Sequence, residues 1–296
     1  MPNVAIVTDG ANDLSQKIID EYEISIVPYR IFFGDDTYRT WNNDKSTISS
    51  QELCARIKTC AKEDLPHTSV PSPGDLTKVF NEALEKADSV IAIFLSGKMS
   101  GIVQSAKRVI ENYLPGKDIS VFDSQSVMTG IGIQTLEAAK MAVEGKNKKQ
   151  ILDRLEAINP RVRTSFVMND LNYLYKQGRI GRAKKFMASA FNVIPMVHLS
   201  DGIINPLATF KGTEHLTEKL KKFGQKIVQH CETSEVLLRY LNHKEIAEEI
   251  YNAMIEVNGH DINVHLNEAS AVMGVYTGPL AIAISYIGSF DPNWLK

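Results

Sequence analysis

Short apolar runs alternate with amphipathic segments through the first half of the chain. The runs are NVAIVT (3–8), ISIVPYRIFF (24–33), SVIAIFL (89–95) and ISVFDS (119–124). The intervening segments repeat apolar residues at helical spacing, and two of them begin at capping serines, Ser49 and Ser72. Continuous apolar strands that alternate with helices are typical of a parallel sheet covered by helices on both faces. The pattern therefore predicts an α/β/α domain with a mostly parallel sheet over residues 1–159.

The pattern changes after residue 160. TSFVM (164–168) is a further strand-like run, and PMVHLSDGIINPLATF (195–210) contains two extended runs joined at Asp-Gly, which is typical of a β-hairpin. Helical patterns then surround the strand-like segments SEVLLRYL and DINVHL. These features predict a smaller α+β domain with a mixed or antiparallel sheet over residues 160–296. We expect the two domains to pack tightly, with a cleft between them.

The stretch HTSVPSPGD is unusually stiff for a segment so rich in polar side chains. Pro71 and Pro73 fix their own φ angles and keep their predecessors out of the helical region. Ser72 has the position of an N-cap, with Asp75 three residues later. The stretch is thus either a helix entrance alone or a rigid rim that holds the Thr68 hydroxyl toward a bound molecule.

Polar clusters follow three of the predicted strands. They are TDGAND (8–13), SGKMSGIVQS (96–105) and DSQSVMTG (123–130). Ligands of open parallel sheets bind at the carboxyl ends of the strands, so these clusters are candidates for a site. Around Ser100, small residues leave room for an anion to approach backbone N–H groups at a helix N-terminus.

Two further positions have both a structural and a functional interpretation. Arg179 follows Gly178, which suits the end of a helix, but the arginine could also face an anion or a partner protein. Tyr276 lies in a glycine-bounded bend before an apolar strand. Its hydroxyl is either a structural hydrogen-bonding group or a donor to a ligand head group.

Composition excludes several classes of function. The 296 residues are 44% hydrophobic with a net charge of -2, which offers no electrostatic case for binding nucleic acid. The N-terminal apolar run is too short for a signal peptide, and no stretch reaches the ~20 apolar residues of a transmembrane helix. Three scattered cysteines indicate neither a disulfide framework nor a zinc site. We expect a cytoplasmic protein without a metal or cofactor.

Taken in order, the polar clusters resemble one family, the bacterial DegV proteins, which bind fatty acids. The matching stretches are VTDGANDL, TSVPSPGDL, SGKMSGIVQSA, VFDSQSVMTGIG, LNYLYKQGRIGRAK and GVYTGP. The resemblance implies two domains of the kinds predicted above, with an acyl chain such as palmitate buried between or beneath them. It also implies that a separate fatty acid kinase subunit phosphorylates the bound carboxylate, since the family carries no ATP site.

The same resemblance assigns roles to individual residues. The fatty-acid carboxylate is expected to bind Thr68, in the T-S-x-P-S element, and Ser100, in the S-G-x-x-Q-S-A element. Secondary head-group or rim contacts are expected from Ser69, Arg179 and Tyr276. Tyr276 stands where the family usually has a histidine, so the contribution of the C-terminal domain differs in chemistry.

Two hypotheses of other classes remain open at this point. A hydrolase or acyltransferase could use Ser100 as its nucleophile, which requires a base within hydrogen-bond reach. A lipid-sensing signalling or transcription module is the other, although the charge balance and the lack of a DNA-binding motif do not favour it.

Overall fold

A computed structural model describes residues 4–41, 46–189, 193–257 and 261–295, so that Asn3 of the predicted run 3–8 lies outside it. Up to residue 160 the strands are β1 (Val4–Asp9), β2 (Ser25–Val27), β3 (Tyr29–Phe33), β4 (Asp36–Thr40), β5 (His67–Ser69), β6 (Ser89–Phe94) and β7 (Ile119–Asp123). The helices of this part are α1 (Gln16–Glu21), α2 (Ser50–Thr59), α3 (Pro73–Leu84), α4 (Ile102–Tyr113), α5 (Thr129–Val143) and α6 (Lys148–Ile158).

A parallel sheet forms the centre of this part of the chain. Its strand order is β2-β1-β6-β7, and every pair in it is parallel. All six residues of β6 are buried, because helices α3 to α6 pack against the sheet. The predicted parallel sheet covered by helices is therefore confirmed, and its carboxyl ends carry the polar clusters that follow β1, β6 and β7.

A second, antiparallel sheet of order β4-β3-β5 was not predicted. The run 24–33 was interpreted as one strand, but it breaks at Pro28, which has no N–H to continue the ladder. β2 remains in the parallel sheet, whereas β3 leaves it and pairs with β5 through Ile31 and Thr68. The polar stretch that begins at His67 thus starts as a strand, not as a loop.

The later part of the chain contains a six-stranded mixed sheet. Its strands are β8 (Val162–Met168), β9 (Ile194–Ser200), β10 (Ile203–Phe210), β11 (Cys231–Leu241), β12 (Asn263–Glu268) and β13 (Ala281–Gly288). The helices are α7 (Asn172–Lys176), α8 (Thr213–His230), α9 (Lys244–Glu256) and α10 (Ala271–Thr277). The order is β10-β9-β8-β13-β11-β12, with β11 and β12 parallel and the other pairs antiparallel, as a mixed sheet requires.

The predicted hairpin is confirmed at Asp201-Gly202. Ser200 pairs with Ile203, and the two residues between them have φ angles of 55° and 71°. Positive φ at both central positions is the geometry of a type I′ turn, which Asp-Gly favours.

The two halves of the chain pack against each other through the mixed sheet. β11 and β13 lie against α5, and α10 packs on α2. The predicted boundary between residues 159 and 160 follows the end of α6 at Ile158 and stays a prediction. Among the described residues, no helix is long and apolar enough to cross a bilayer.

Candidate functional site

An apolar cavity lies where the carboxyl ends of β1 and β6 meet α10 and the mixed sheet. We call it the main cavity. It encloses about 800 Å³, counting the solvent at its opening. Its wall is built mainly from aliphatic, methionine and aromatic side chains, among them Met99, Val127, Met128, Phe166, Leu174 and Met273.

One end of the main cavity is polar. Thr68, Ser100, Arg179 and Tyr276 all line it, and all four are half-buried, whereas most of the apolar wall is fully buried. The structure therefore brings together four of the five residues expected at the head group. Ser69 does not line the cavity, because successive side chains of a strand point to opposite faces and Thr68 occupies the inward position on β5.

Thr68 and Tyr276 form a hydrogen bond across the polar end. Their hydroxyl oxygens lie 2.6 Å apart, although the two residues are 208 positions apart in sequence. Tyr276 belongs to α10, and Gly278, which caps the C-terminal end of that helix, has a φ of 74°. The predicted bend is thus the last turn of a short helix, and the tyrosine hydroxyl takes a position beside Thr68.

Ser100 forms the second hydroxyl pair. Its Oγ lies 3.3 Å from the hydroxyl of Tyr29 and accepts a hydrogen bond of 3.3 Å from the Ile102 N–H at the start of α4. Burial raises the pKa of Tyr29 well above its ordinary value, so the phenol is neutral at pH 7. Prediction missed Tyr29, because the run containing it was assigned to the interior of a single strand.

The proline-rich stretch forms a helix entrance next to a residue of the cavity wall, Thr68. Ser72 caps α3 in a capping box with Asp75, as predicted. The Asp75 carboxylate also accepts hydrogen bonds from Arg30, at 2.7 Å, and from Arg39. The segment that follows Thr68 is thereby tied to β3 and β4, which restricts the movement of the threonine hydroxyl at the cavity.

Arg179 follows the end of a helix, as predicted, and its side chain lines the main cavity. The Arg179 N–H donates to Leu174 and the Gly178 N–H to Tyr175, which is the Schellman pattern of a helix end. Gly178 has a φ of 70° there, a conformation that glycine adopts without strain. The turn directs the Arg179 side chain to the cavity, where its Nε donates to the Met99 carbonyl at 3.4 Å.

Asp9 lies behind the polar end, at the end of β1. Its carboxylate accepts hydrogen bonds from the N–H groups of Leu95, at 2.8 Å, and Ala11, at 3.0 Å. Burial raises the pKa of Asp9 to about 7, although these two donors lower it. Leu95 and Ala11 line the main cavity, so Asp9 holds the loops after β1 and β6 in place around it. Its position in TDGAND, directly after a strand, was the available signal.

The geometry gives Ser100 little support as a nucleophile. Of the described residues that line the main cavity, none is a histidine. His67 is exposed and stacks on Phe32, with the ring centroids 5.2 Å apart. Within the same described ranges, no group of histidine, cysteine, aspartate or glutamate side chains could hold a metal ion.

Comparison with known proteins identifies similar chains along nearly the whole length. The family model described as "Uncharacterised protein, DegV family" matches residues 3–289. A DegV domain-containing protein of Caldanaerobacter subterraneus is 30% identical over 97% of this chain and 99% of its own. Another, from Deinococcus radiodurans, is 27% identical over 96% of this chain and 98% of its own.

Two solved structures are similar as well. A DegV family protein from Thermus thermophilus, described by its fatty acid binding, superposes with a TM-score of 0.86 at 27% identity and covers 97% of this chain and 100% of its own. A stearic acid-binding protein from Eubacterium ventriosum superposes with a TM-score of 0.80 at 25% identity, over 96% of this chain and 98% of its own.

Proposed function

This chain belongs to the DegV family, and we propose that it binds a long-chain fatty acid such as palmitate in the main cavity. The observation that carries the proposal is the chemistry of that cavity, whose wall is mainly apolar and includes the hydroxyl groups of Thr68, Ser100 and Tyr276. The similar structures from Thermus thermophilus and Eubacterium ventriosum, which are described as fatty-acid binders, support it.

The apolar wall accounts for the affinity of such a ligand. Each methylene group transferred from water to an apolar environment contributes about 0.8 kcal/mol. Met99, Met128 and Met273 contribute flexible thioether side chains to the wall. Methionine adapts its shape to irregular partners, so the wall suits a chain with many rotatable bonds.

The polar end accounts for the position of the carboxylate. A buried carboxylate requires hydrogen-bond donors, and we assign Thr68 and Ser100 as the donors that contact it directly. In the structure both hydroxyls are already oriented, Thr68 by Tyr276 and Ser100 by Tyr29. Tyr276 and Arg179 lie close enough to the same end to contribute further contacts.

We also propose that the bound carboxylate is presented to a separate fatty acid kinase and that the protein acts in the cytoplasm. Two features support this. The head-group residues are only half-buried, so the carboxylate end lies near the surface. All three cysteines are free, as a reducing compartment favours.

Lipid extraction and palmitate titration test the proposal. Protein purified without delipidation is extracted and analysed by mass spectrometry, and delipidated protein is titrated with palmitate. Thr68→Val and Ser100→Ala should each weaken binding roughly 10- to 150-fold, because a hydrogen bond to a charged group contributes about 1.5–3 kcal/mol. Ser69→Ala is the matched control on the same strand. A wild-type protein with neither extractable lipid nor palmitate binding would contradict the proposal.

A further inference from the structure

A second cavity lies at the end of the mixed sheet where β8 begins and the β9–β10 hairpin turns. We call it the polar cleft. It contains about 830 Å³, counting solvent at its opening. The loop after β7 forms one side, and the hairpin turn together with Asn159, Pro160, Val162 and Arg163 forms the others. No residue of the polar cleft lines the main cavity, so the two are separate sites.

Arg163 is the only arginine or lysine among the described residues that line the polar cleft. Its Nη1 donates to the Pro160 carbonyl at 2.9 Å, but its Nε is buried and has no hydrogen-bond partner in the described part of the chain. The Nε atom is enclosed by protein and lies out of reach of a molecule in the cleft. The half-buried Arg163 side chain nevertheless lines the cleft, so it presents a positive charge there.

His198 lies beside this arginine. Burial, and next the positive charge of Arg163, lower the pKa of His198. The imidazole ring stacks on Phe290 with the centroids 5.8 Å apart, which fixes its orientation at the cleft wall. Arginine and a fixed imidazole on adjacent strands are the donors expected around an oxyanion.

The carboxylates near the cleft interact with groups other than Arg163 and His198. Asp201 lines the cleft, but its carboxylate lies 3.4 Å from Arg182 and its side chain is 66% exposed. Asp123 accepts from the N–H groups of Gly97 and Gln125. The positive charge of Arg163 is therefore not paired with either of these carboxylates.

We propose that the polar cleft binds the phosphate group of a small organic phosphate, with Arg163 and His198 as the donors. The guanidinium fork matches the geometry of phosphate oxygens. The walls of the cleft also include the apolar side chains of Val162, Leu199 and Phe290, which suit the organic part. This binding site is additional to the fatty-acid site and does not depend on it.

Calorimetric titration at constant ionic strength tests the proposal, with glycerol 3-phosphate and inorganic phosphate as separate probes. Wild-type protein should bind one glycerol 3-phosphate per chain, and more tightly than inorganic phosphate. Arg163→Met should weaken this binding at least tenfold. Arg161→Met is the matched control, since Arg161 lies two residues away, outside the cleft, and pairs with Glu232.

Each outcome decides the proposal. If the Arg161 and Arg163 variants lose equal amounts of glycerol 3-phosphate affinity, the binding is a general charge effect and the proposed site is wrong. The proposed site is also wrong if wild-type protein shows no saturable binding of glycerol 3-phosphate. Equal affinity for both probes would overturn the organic phosphate as ligand. If Arg163→Met does not fold, His198→Gln and Arg163→Lys must show the weakening instead. Palmitate binding should be unchanged in all variants, which separates this result from the fatty-acid proposal.

Discussion

The two halves of the chain meet at two groups of ionisable residues, and only one group contains ion pairs between basic and acidic side chains. The central cluster consists of Asp13, Lys140, Glu235, Arg239 and His265. Arg239 is fully buried and donates to the backbone carbonyls of Asp13, at 2.6 Å, and Leu238, at 2.9 Å. Glu235 contacts Lys140 and also His265 at 2.5 Å. Strand β11 is thus linked to α5 and to the loop after β1.

The polar cleft presents the opposite case, because Arg163 and His198 lie at the same sheet without acidic partners among the described cleft residues. A charge that is paired across an interface holds the two sides together, and its removal leaves the partner buried alone. A charge that lacks a partner contributes little to folding and is available to a ligand. The comparison suggests a structural role for Arg239 and a ligand-binding role for Arg163, although both residues are arginines.

The largest effect is expected for Arg239→Met. Burial lowers the pKa of Arg239 to about 10, so the guanidinium is charged at pH 7. Its loss leaves the buried carbonyls of Asp13 and Leu238 without these donors and removes a positive charge near the Asp13 carboxylate. At about 1–3 kcal/mol for each unsatisfied group, the unfolding free energy should fall by about 2–6 kcal/mol. Urea denaturation measures the change. The double variant with Asp13→Asn should recover part of it, and a loss below about 1 kcal/mol would place Arg239 with Arg163 instead.

Acid sensitivity of the central cluster is expected to come next. Burial opposes ionisation of Glu235, but hydrogen bonds from His265 and Lys140 hold its pKa near 2, below the ordinary 4.5. A depressed pKa stabilises the fold above pH 4.5, and this stabilisation is lost as the pH falls toward 2. The shift corresponds to about 3 kcal/mol. Urea denaturation from pH 6 to pH 2 should show this loss, and Glu235→Gln should flatten the profile.

A smaller effect is expected at the main cavity for Tyr276→Phe. The change removes the hydroxyl that orients Thr68 and lies near the proposed carboxylate position. A single neutral hydrogen bond contributes about 0.5–1.5 kcal/mol, so palmitate affinity should fall roughly two- to tenfold. Tyr175→Phe, at an exposed tyrosine of α7, is the control. Unchanged affinity would remove Tyr276 from the head-group site.

The smallest effect on folding is expected for Arg163→Met in the absence of phosphate. The substitution removes one hydrogen bond to Pro160 and also an unpartnered buried donor. These contributions have opposite signs, so the unfolding free energy should change by less than about 1 kcal/mol. Urea denaturation of the Arg163→Met and Arg239→Met variants under the same conditions compares their unfolding free energies directly. A loss as large as that of Arg239→Met would show that Arg163 is structural.

Much of the fold could be predicted from local patterns. The parallel strands are apolar without interruption because both faces are covered, and the hairpin is marked by Asp201-Gly202. The antiparallel sheet of β3, β4 and β5 was missed because Pro28 divides a run that is apolar on both sides. Hydrophobic periodicity records burial, and it does not record which sheet a strand joins.

The candidate site was predictable to a smaller extent. Ser100 could be predicted as a site residue from its position after a buried strand, whereas the assignment of Thr68 depended on the resemblance to the family. Gly178 predicted a helix end before Arg179, but only tertiary packing determines that this arginine reaches the cavity. Arg239 could not be foreseen, because its hydrogen-bonding partner Asp13 is 226 residues away.

The pairing of hydroxyls at the polar end has a consequence for selectivity among lipids. Thr68 with Tyr276, and Ser100 with Tyr29, satisfy each other when no ligand is bound. Entry of a carboxylate therefore exchanges existing hydrogen bonds for new ones. Homologous fatty acids share the same carboxylate, so differences in their affinity come from the length of their acyl chains. Each additional methylene that fits should tighten binding about fourfold, from about 0.8 kcal/mol per group. The protein would then rank its ligands by length until the end of the cavity is reached.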